Sequence, residues 1–398
     1  MIASKVRKLS KLSKLSNRGL LSLCLFTSSA AQAVTVGGLL DRLFGPVLAH
    51  ELDAKELAAE LDRLAELPQK SLYNIERWSK TQTSEIPKCV QQYEDFYKDG
   101  VLDISLAAGY LDMPNIGKNL DQDAVEMIYG ALTRPCGNIQ TGACGFEETQ
   151  KIYPSKVILE RSMGNLVDQA ALLGLNDSHP LKRSDLRVRL TLLYSAWSNY
   201  DKDNFDGRRV RAEQIKTSEI AESAFFGSIG EASKIKEKPC DVCAYLGHAR
   251  SGGGPDFRPV PLDWRKKDGE PDYDKYLRTR TNFRRLMRAM EASKHPTKQM
   301  IAVMGCDSEG NFYQSARKAC LVQGAPNCQA KTLKDYEKKM GLILTNKLSW
   351  PQNQHKYLGV FFDGLLNMKC RSAWNENYKA LNSIPKYPET YRVIGNFL

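Results

Sequence analysis

The chain has 398 residues, of which 42% are hydrophobic and 26% charged, the composition of an ordinary globular protein. Its formal net charge is +11, but the first 33 residues supply six of those charges and no acid, so the remainder carries +5. That mild excess, with no basic stripe interleaved with aromatic residues, excludes nucleic acid as the expected partner.

The amino terminus reads as a secretory signal. Lys5, Arg7, Lys8, Lys11, Lys14 and Arg18 precede a short apolar stretch from Gly19 to Phe26, and Ala31-Gln32-Ala33 follows with small residues at the positions a signal peptidase reads. A membrane anchor would need about 20 apolar residues, and this stretch is well short of that. Leu23 is too large for the position before a lipidated Cys24. Cleavage after Ala33 is expected, with export to the periplasm or out of the cell. No later segment is apolar for long enough to span a bilayer, so no stable membrane insertion is expected.

Nine cysteines remain beyond the signal: Cys89, Cys136, Cys144, Cys240, Cys243, Cys306, Cys320, Cys328 and Cys370. An oxidising compartment favours disulfides. The odd count leaves at least one thiol free or paired with another molecule.

Residues 34–180 read as a mainly helical region. Leu52 to Leu67 has apolar residues at spacings of three and four, an amphipathic helix closed by Pro68. Shorter helical patterns fall near 86–98, 123–132 and 155–173. Between them, the stretch 134–146 holds Cys136 and Cys144 and reads as a disulfide-pinned loop. From about 181 the texture changes to an α/β domain that runs to 398. Short apolar runs at Arg187–Ala196, Asp241–Leu246, Gln299–Met304 and Gly341–Thr345 read as strands. Helical patterns at 208–233, 275–293 and 355–381 alternate with them. Such alternation implies a mostly parallel sheet with helices on both faces, whose chemistry lies just beyond the carboxyl ends of the strands. Two of these strands run into a reactive residue: Leu246 is followed by Gly247-His248, and Met304 by Gly305-Cys306.

A cysteine nucleophile acts as its thiolate, which a neighbouring imidazole stabilises. Acyl transfer also needs donors for the developing oxyanion, commonly backbone N–H groups. Neighbouring parallel strands ending in His and Cys can supply both. The segment Tyr245-Leu246-Gly247-His248-Ala249-Arg250, with Gly252, Gly253 and Gly254 after it, resembles the strand-His-Gly motif of caspase-like cysteine peptidases, the group of caspases, legumains, clostripain and gingipains. Ile301-Ala302-Val303-Met304-Gly305-Cys306-Asp307-Ser308 resembles their apolar-strand-Cys motif. Cys306 follows His248 by 58 residues, against about 50 in caspases. The likeness spans roughly 185–385 and leaves out the helical region. Ala249 stands where caspases have Gly, and their Gln-Ala-Cys-x-Gly signature is absent, so the likeness is to the bacterial-type relatives and not to a true caspase.

The resemblance implies a set of roles. Cys306 attacks the scissile carbonyl, and His248 protonates the leaving amine. The backbone N–H groups of Cys306 and Ala249 form the oxyanion hole. Gly252, Gly253, Gly254 and Asp256 line the substrate cleft, with Asp256 a candidate selector of basic side chains. A protein or peptide is the expected substrate, and the chemistry needs neither metal nor organic cofactor. The resemblance also suggests a zymogen, with the helical region placed to shield the cleft. Two other readings use the same residues: a catalytically inactive scaffold that holds peptides in the cell envelope, and a Cys-dependent transpeptidase that passes the acyl group to an amine.

Other motifs carry less. Gly252–Gly254 lacks the Lys-Ser/Thr of a phosphate loop. Cys240-x-x-Cys243 has no second pair or nearby His to complete a zinc site, and reads as structural disulfide chemistry. His50, His179, His295 and His355 have no partner pattern and read as surface or loop residues.

Overall fold

The computed structural model describes residues 53–67, 70, 72, 77–109, 112–113, 118–136, 143–152, 156–163, 175–194, 208–232, 238–247, 255–257, 281–297, 299–305, 308, 340–345, 354–382 and 391–394. The signal-like segment lies outside them. Helices α1 (Ala54–Glu66), α2 (Lys80–Thr83) and α3 (Ile86–Phe96) come first. The Asp53 carboxylate caps α1 by accepting from the Lys55 N–H at 2.8 Å, and Leu57, Leu61 and Leu64 form its buried stripe. Strands β1 (Val101–Ala108), β2 (Asp112–Met113) and β3 (Lys118–Asn119) follow, then α4 (Leu120–Thr133), β4 (Glu147–Ile152), β5 (Lys156–Ser162) and β6 (Arg187–Tyr194). The remainder is α5 (Arg208–Ile229), β7 (Val242–Leu246), α6 (Thr281–Ala292), β8 (Gln299–Met304), β9 (Met340–Thr345), α7 (Gln354–Leu366), α8 (Arg371–Asn382) and β10 (Tyr391–Ile394).

Among the described residues eight strands form one sheet in the order β10-β9-β8-β7-β1-β6-β5-β4. The five in the middle, from β9 to β6, are parallel. The edges are antiparallel: β10 against β9, and the β4–β5 hairpin against β6. The α/β expectation therefore holds, but the expected boundary at 180 does not divide the sheet. β1 lies at its centre, between β6 and β7, and β4 and β5 extend it. A region that supplies the central strand is part of the fold, not a detachable shield. The helical pattern at 155–173 also begins as a strand, β5, with Val157 and Leu159 buried.

Period-two alternation sorts the strand residues onto two faces. Leu102, Ile104 and Leu106 of β1, Val188 and Leu190 of β6, Val242 and Ala244 of β7 and Met300 and Ala302 of β8 belong to one core, which α1, α3, α4, α7 and α8 cover. Ala107, Cys243, Tyr245, Ile301 and Val303 point the other way, into a core with Phe225 and Phe226 of α5 and Leu286 and Met290 of α6. Arg285 ties these two helices together, donating to Glu222 at 2.7 Å and Glu231 at 2.6 Å.

The terminal helix expected over 355–381 is two helices. Met368 takes a left-handed conformation at φ 48, and the N–H groups of Met368 and Lys369 return to the carbonyls of Leu365 and Gly364, a Schellman end to α7. Lys369 is buried and pairs with Asp363. Burial lowers its pKa while the carboxylate opposes that. Beside this turn a Cys89–Cys370 disulfide joins α3 to the start of α8. The Tyr93 hydroxyl bonds the carbonyls of Gly364 and Lys369 at 3.0 and 2.9 Å. The Cys136–Cys144 disulfide pins the loop expected over 134–146.

Candidate functional site

Among the parallel strands, chain order and sheet order reverse at β1. The chain places β6 on one side of it, then β7, β8 and β9 in succession on the other. This is a doubly wound order, and in such sheets ligands bind outside the carboxyl ends of the strands flanking the reversal. Those ends are Ala108-Gly109 of β1 and Leu246-Gly247 of β7. The Gly109 N–H donates to the Leu246 carbonyl at 2.7 Å, and the Gly247 N–H to the Met304 carbonyl at 3.3 Å. The three strands therefore stay tied together to their last residues.

β7 and β8 are parallel neighbours in a register that pairs Leu246 with Met304. His248 and Cys306 each lie two residues beyond these paired positions. The chain thus leaves adjacent strands at one level of the sheet toward both residues. His248, Ala249, Gly252, Gly253, Gly254 and Cys306 themselves lie outside the described residues. The chain turns just past β8, where the Ser308 N–H donates to the Gly305 carbonyl at 3.3 Å. The Ser308 hydroxyl donates to the Val303 carbonyl at 2.7 Å.

Asp256 is the one predicted site residue within the described set. It is buried at this end of the sheet, 4% exposed. The Tyr245 hydroxyl holds its backbone, accepting from the Asp256 N–H at 2.8 Å and donating to the Asp256 carbonyl at 2.9 Å. Phe257 completes the attachment, with its ring 5.5 Å from that of Tyr245 and 5.6 Å from that of Phe225. Sequence reading missed this contact, because a hydroxyl bonding a backbone eleven residues away leaves no spacing pattern. Two glycines were its only signal. A Cβ on Gly109 would stand 2.2 Å from the Tyr245 hydroxyl and one on Gly247 2.5 Å from it.

A second polar cluster lies at the opposite, amino ends of the strands. Cys240 and Cys243 are joined in a disulfide, so their sulfurs bind each other and not a metal. Asp241 accepts from the Asp103 N–H at 2.8 Å and faces the His295 ring at 3.3 Å. Burial is the main influence on Asp241 and pushes its carboxyl up to about 6, against the opposing pull of His295. Burial lowers the imidazole pKa, yet its contacts with Asp241 outweigh that and hold the value above the ordinary one. Asp103 continues the network to Lys238 at 2.5 Å and Arg189 at 3.4 Å, and Arg189 reaches Glu160 at 2.7 Å. These side chains line a half-open cavity of about 500 Å³ over β1, β6 and β5.

Of the histidines read as surface or loop residues without a partner pattern, His179 and His295 do lie in loops and His355 lies in α7, and each of the three faces a carboxylate. His179 faces Glu94 at 3.0 Å, His295 faces Asp241, and His355 faces Glu56 at 3.6 Å. His50 lies outside the described residues. Both ring nitrogens of His295 are engaged, Nε2 by Asp241 and Nδ1 by Thr297, so neither is left to move a substrate proton.

Among the described residues no helix is long and apolar enough to cross a membrane. No family model matches the chain, and no curated protein or solved structure matches it.

Proposed function

We propose that the protein is an exported cysteine endopeptidase of caspase-like type, with Cys306 as nucleophile and His248 as its acid-base partner. The observation that carries the reading is the register of β7 and β8. Residues of the two required types follow adjacent parallel strands, each two positions past a paired residue, beside the switch point of a doubly wound sheet. The three disulfides among the described residues suit a protein of an oxidising compartment and support export.

In this reading the Cys306 thiolate attacks the peptide carbonyl. The backbone N–H groups of Cys306 and Ala249 receive the developing oxyanion. His248 gives its proton to the leaving amine, and the acyl-enzyme is then hydrolysed by water. Gly252, Gly253 and Gly254 let a peptide backbone approach the cleft. The buried Asp256 closes its far side and supplies negative charge toward a basic residue.

The test is product analysis with a mixed peptide library, comparing wild type with Cys306→Ala and His248→Ala. Cleavage by wild type alone supports the peptidase. Coupling to an added amine in place of cleavage supports the transpeptidase, and tight peptide binding without turnover supports the inactive scaffold.

A further inference from the structure

The segment that carries His248 follows β7 after Gly247, and the chain is held again at Asp256. One side chain of β7 itself makes the second attachment. Tyr245 and Gly247 lie on the same face of the strand, two residues apart. The tyrosine ring leans toward the carboxyl end, past Gly247 and across to Gly109 of β1, and its hydroxyl meets both backbone groups of Asp256. One hydroxyl thus satisfies the N–H and the C=O of a buried residue, as a neighbouring strand would. Room for it exists only because positions 109 and 247 lack a Cβ. At Gly109 a Cβ would also stand 2.5 Å from the Asp256 carbonyl oxygen. The ring itself is anchored in the α5 face by Phe225 and Phe257.

We infer that Tyr245 is the positioning residue of the site, clasping the loop 248–255 so that both of its ends are referenced to β7. The inference rests on the His248/Cys306 reading. A loop holding Gly252, Gly253 and Gly254 has much conformational freedom to lose, and fixing its second end removes part of that freedom before substrate arrives. The hydroxyl makes both of these backbone bonds, and the ring contacts survive in phenylalanine, so Tyr245→Phe removes the bonds alone.

The experiment is alkylation of Cys306 by iodoacetamide as a function of pH, followed by peptide mapping, in the full mature chain. Wild type is compared with Tyr245→Phe, His248→Ala and Tyr93→Phe. Tyr93 is an equivalent buried clasp on the other face, and its variant controls for lost stability. Hydrogen exchange of the segment 248–257 is read in the same samples.

The expected result is fast, His248-dependent labelling in wild type. In Tyr245→Phe the rate falls about tenfold or more, the apparent thiol pKa rises toward its ordinary value near 8.5, and exchange in the segment quickens. Tyr93→Phe lowers the melting temperature while leaving the labelling profile in place. If wild type labels fast with His248 dependence and Tyr245→Phe keeps the same rate and pH profile, the inference is overturned and the peptidase reading stands. Slow labelling in wild type overturns both.

Discussion

The Cys89–Cys370 disulfide closes a loop of 281 residues, while Cys136–Cys144 closes one of 8. In the chain-entropy account a cross-link destabilises the unfolded chain by a term that grows with the logarithm of loop length. That gives about 5–6 kcal/mol for the long loop and about 2.5 kcal/mol for the short one. The double variant Cys89→Ala/Cys370→Ala should therefore lose roughly 3 kcal/mol more stability than Cys136→Ala/Cys144→Ala. Both sulfurs of the long link are fully buried, so loss of packing adds to its cost. The assay is guanidinium denaturation under non-reducing conditions, followed by fluorescence and far-UV circular dichroism. Removing the long link should lower the midpoint and steepen the denaturant dependence, because the unlinked unfolded chain exposes more surface. Equal losses from the two pairs, or an unchanged midpoint for the long-loop variant, would refute the reasoning.

Two further changes test the packing and the electrostatics. Gly364→Ala improves helix propensity by about 1 kcal/mol in an exposed helix, but here its Cβ would stand 2.1 Å from the Trp374 ring. A net loss of about 1–3 kcal/mol is expected, and a melting temperature that rises would contradict the close approach. Asp241 holds its proton up to about pH 6 in the fold, against 3.8 ordinarily. The folded state thus binds more protons than the unfolded between these values, and this group's stabilisation, full below pH 3.8, is lost as pH rises to 6. The raised His295 continues the decline with the same sign above its ordinary 6.5. Asp241→Asn should remove up to about 3 kcal/mol of that pH dependence. Urea titrations from pH 4 to 6 with the same slope in variant and wild type would count against it.

Of the strands legible in the sequence, β7 and β8 are buried on both faces, whereas β6 exposes part of one. β7 and β8 read as continuous apolar runs because helices cover them above and below. β1 is equally central, yet Asp103 and Ser105 interrupt its apolar run, where its second face lines the polar cavity beside Arg189. β4 has only Ile152 as an apolar residue, as an edge strand permits. β5 sits in a longer stretch whose periodicity mimics a helix. Missing these three strands set the expected boundary at 180 and hid the switch point. The break at Met368 was illegible because the left-handed position holds neither glycine nor asparagine. At the site, the order of His248 and Cys306 was readable as motif. The Tyr245 clasp was not, since its partners are backbone atoms brought near only by the fold.

The central claim is the pairing of Cys306 with His248, and the most direct measurement is the rate at which each cysteine of the mature protein is alkylated at mildly acidic pH. A thiolate stabilised by a neighbouring imidazole reacts well below the pKa near 8.5 of a free thiol. The account predicts rapid labelling confined to Cys306 and slowed by His248→Ala. Cys306 found in a disulfide, or labelled no faster than a denatured thiol, would contradict it.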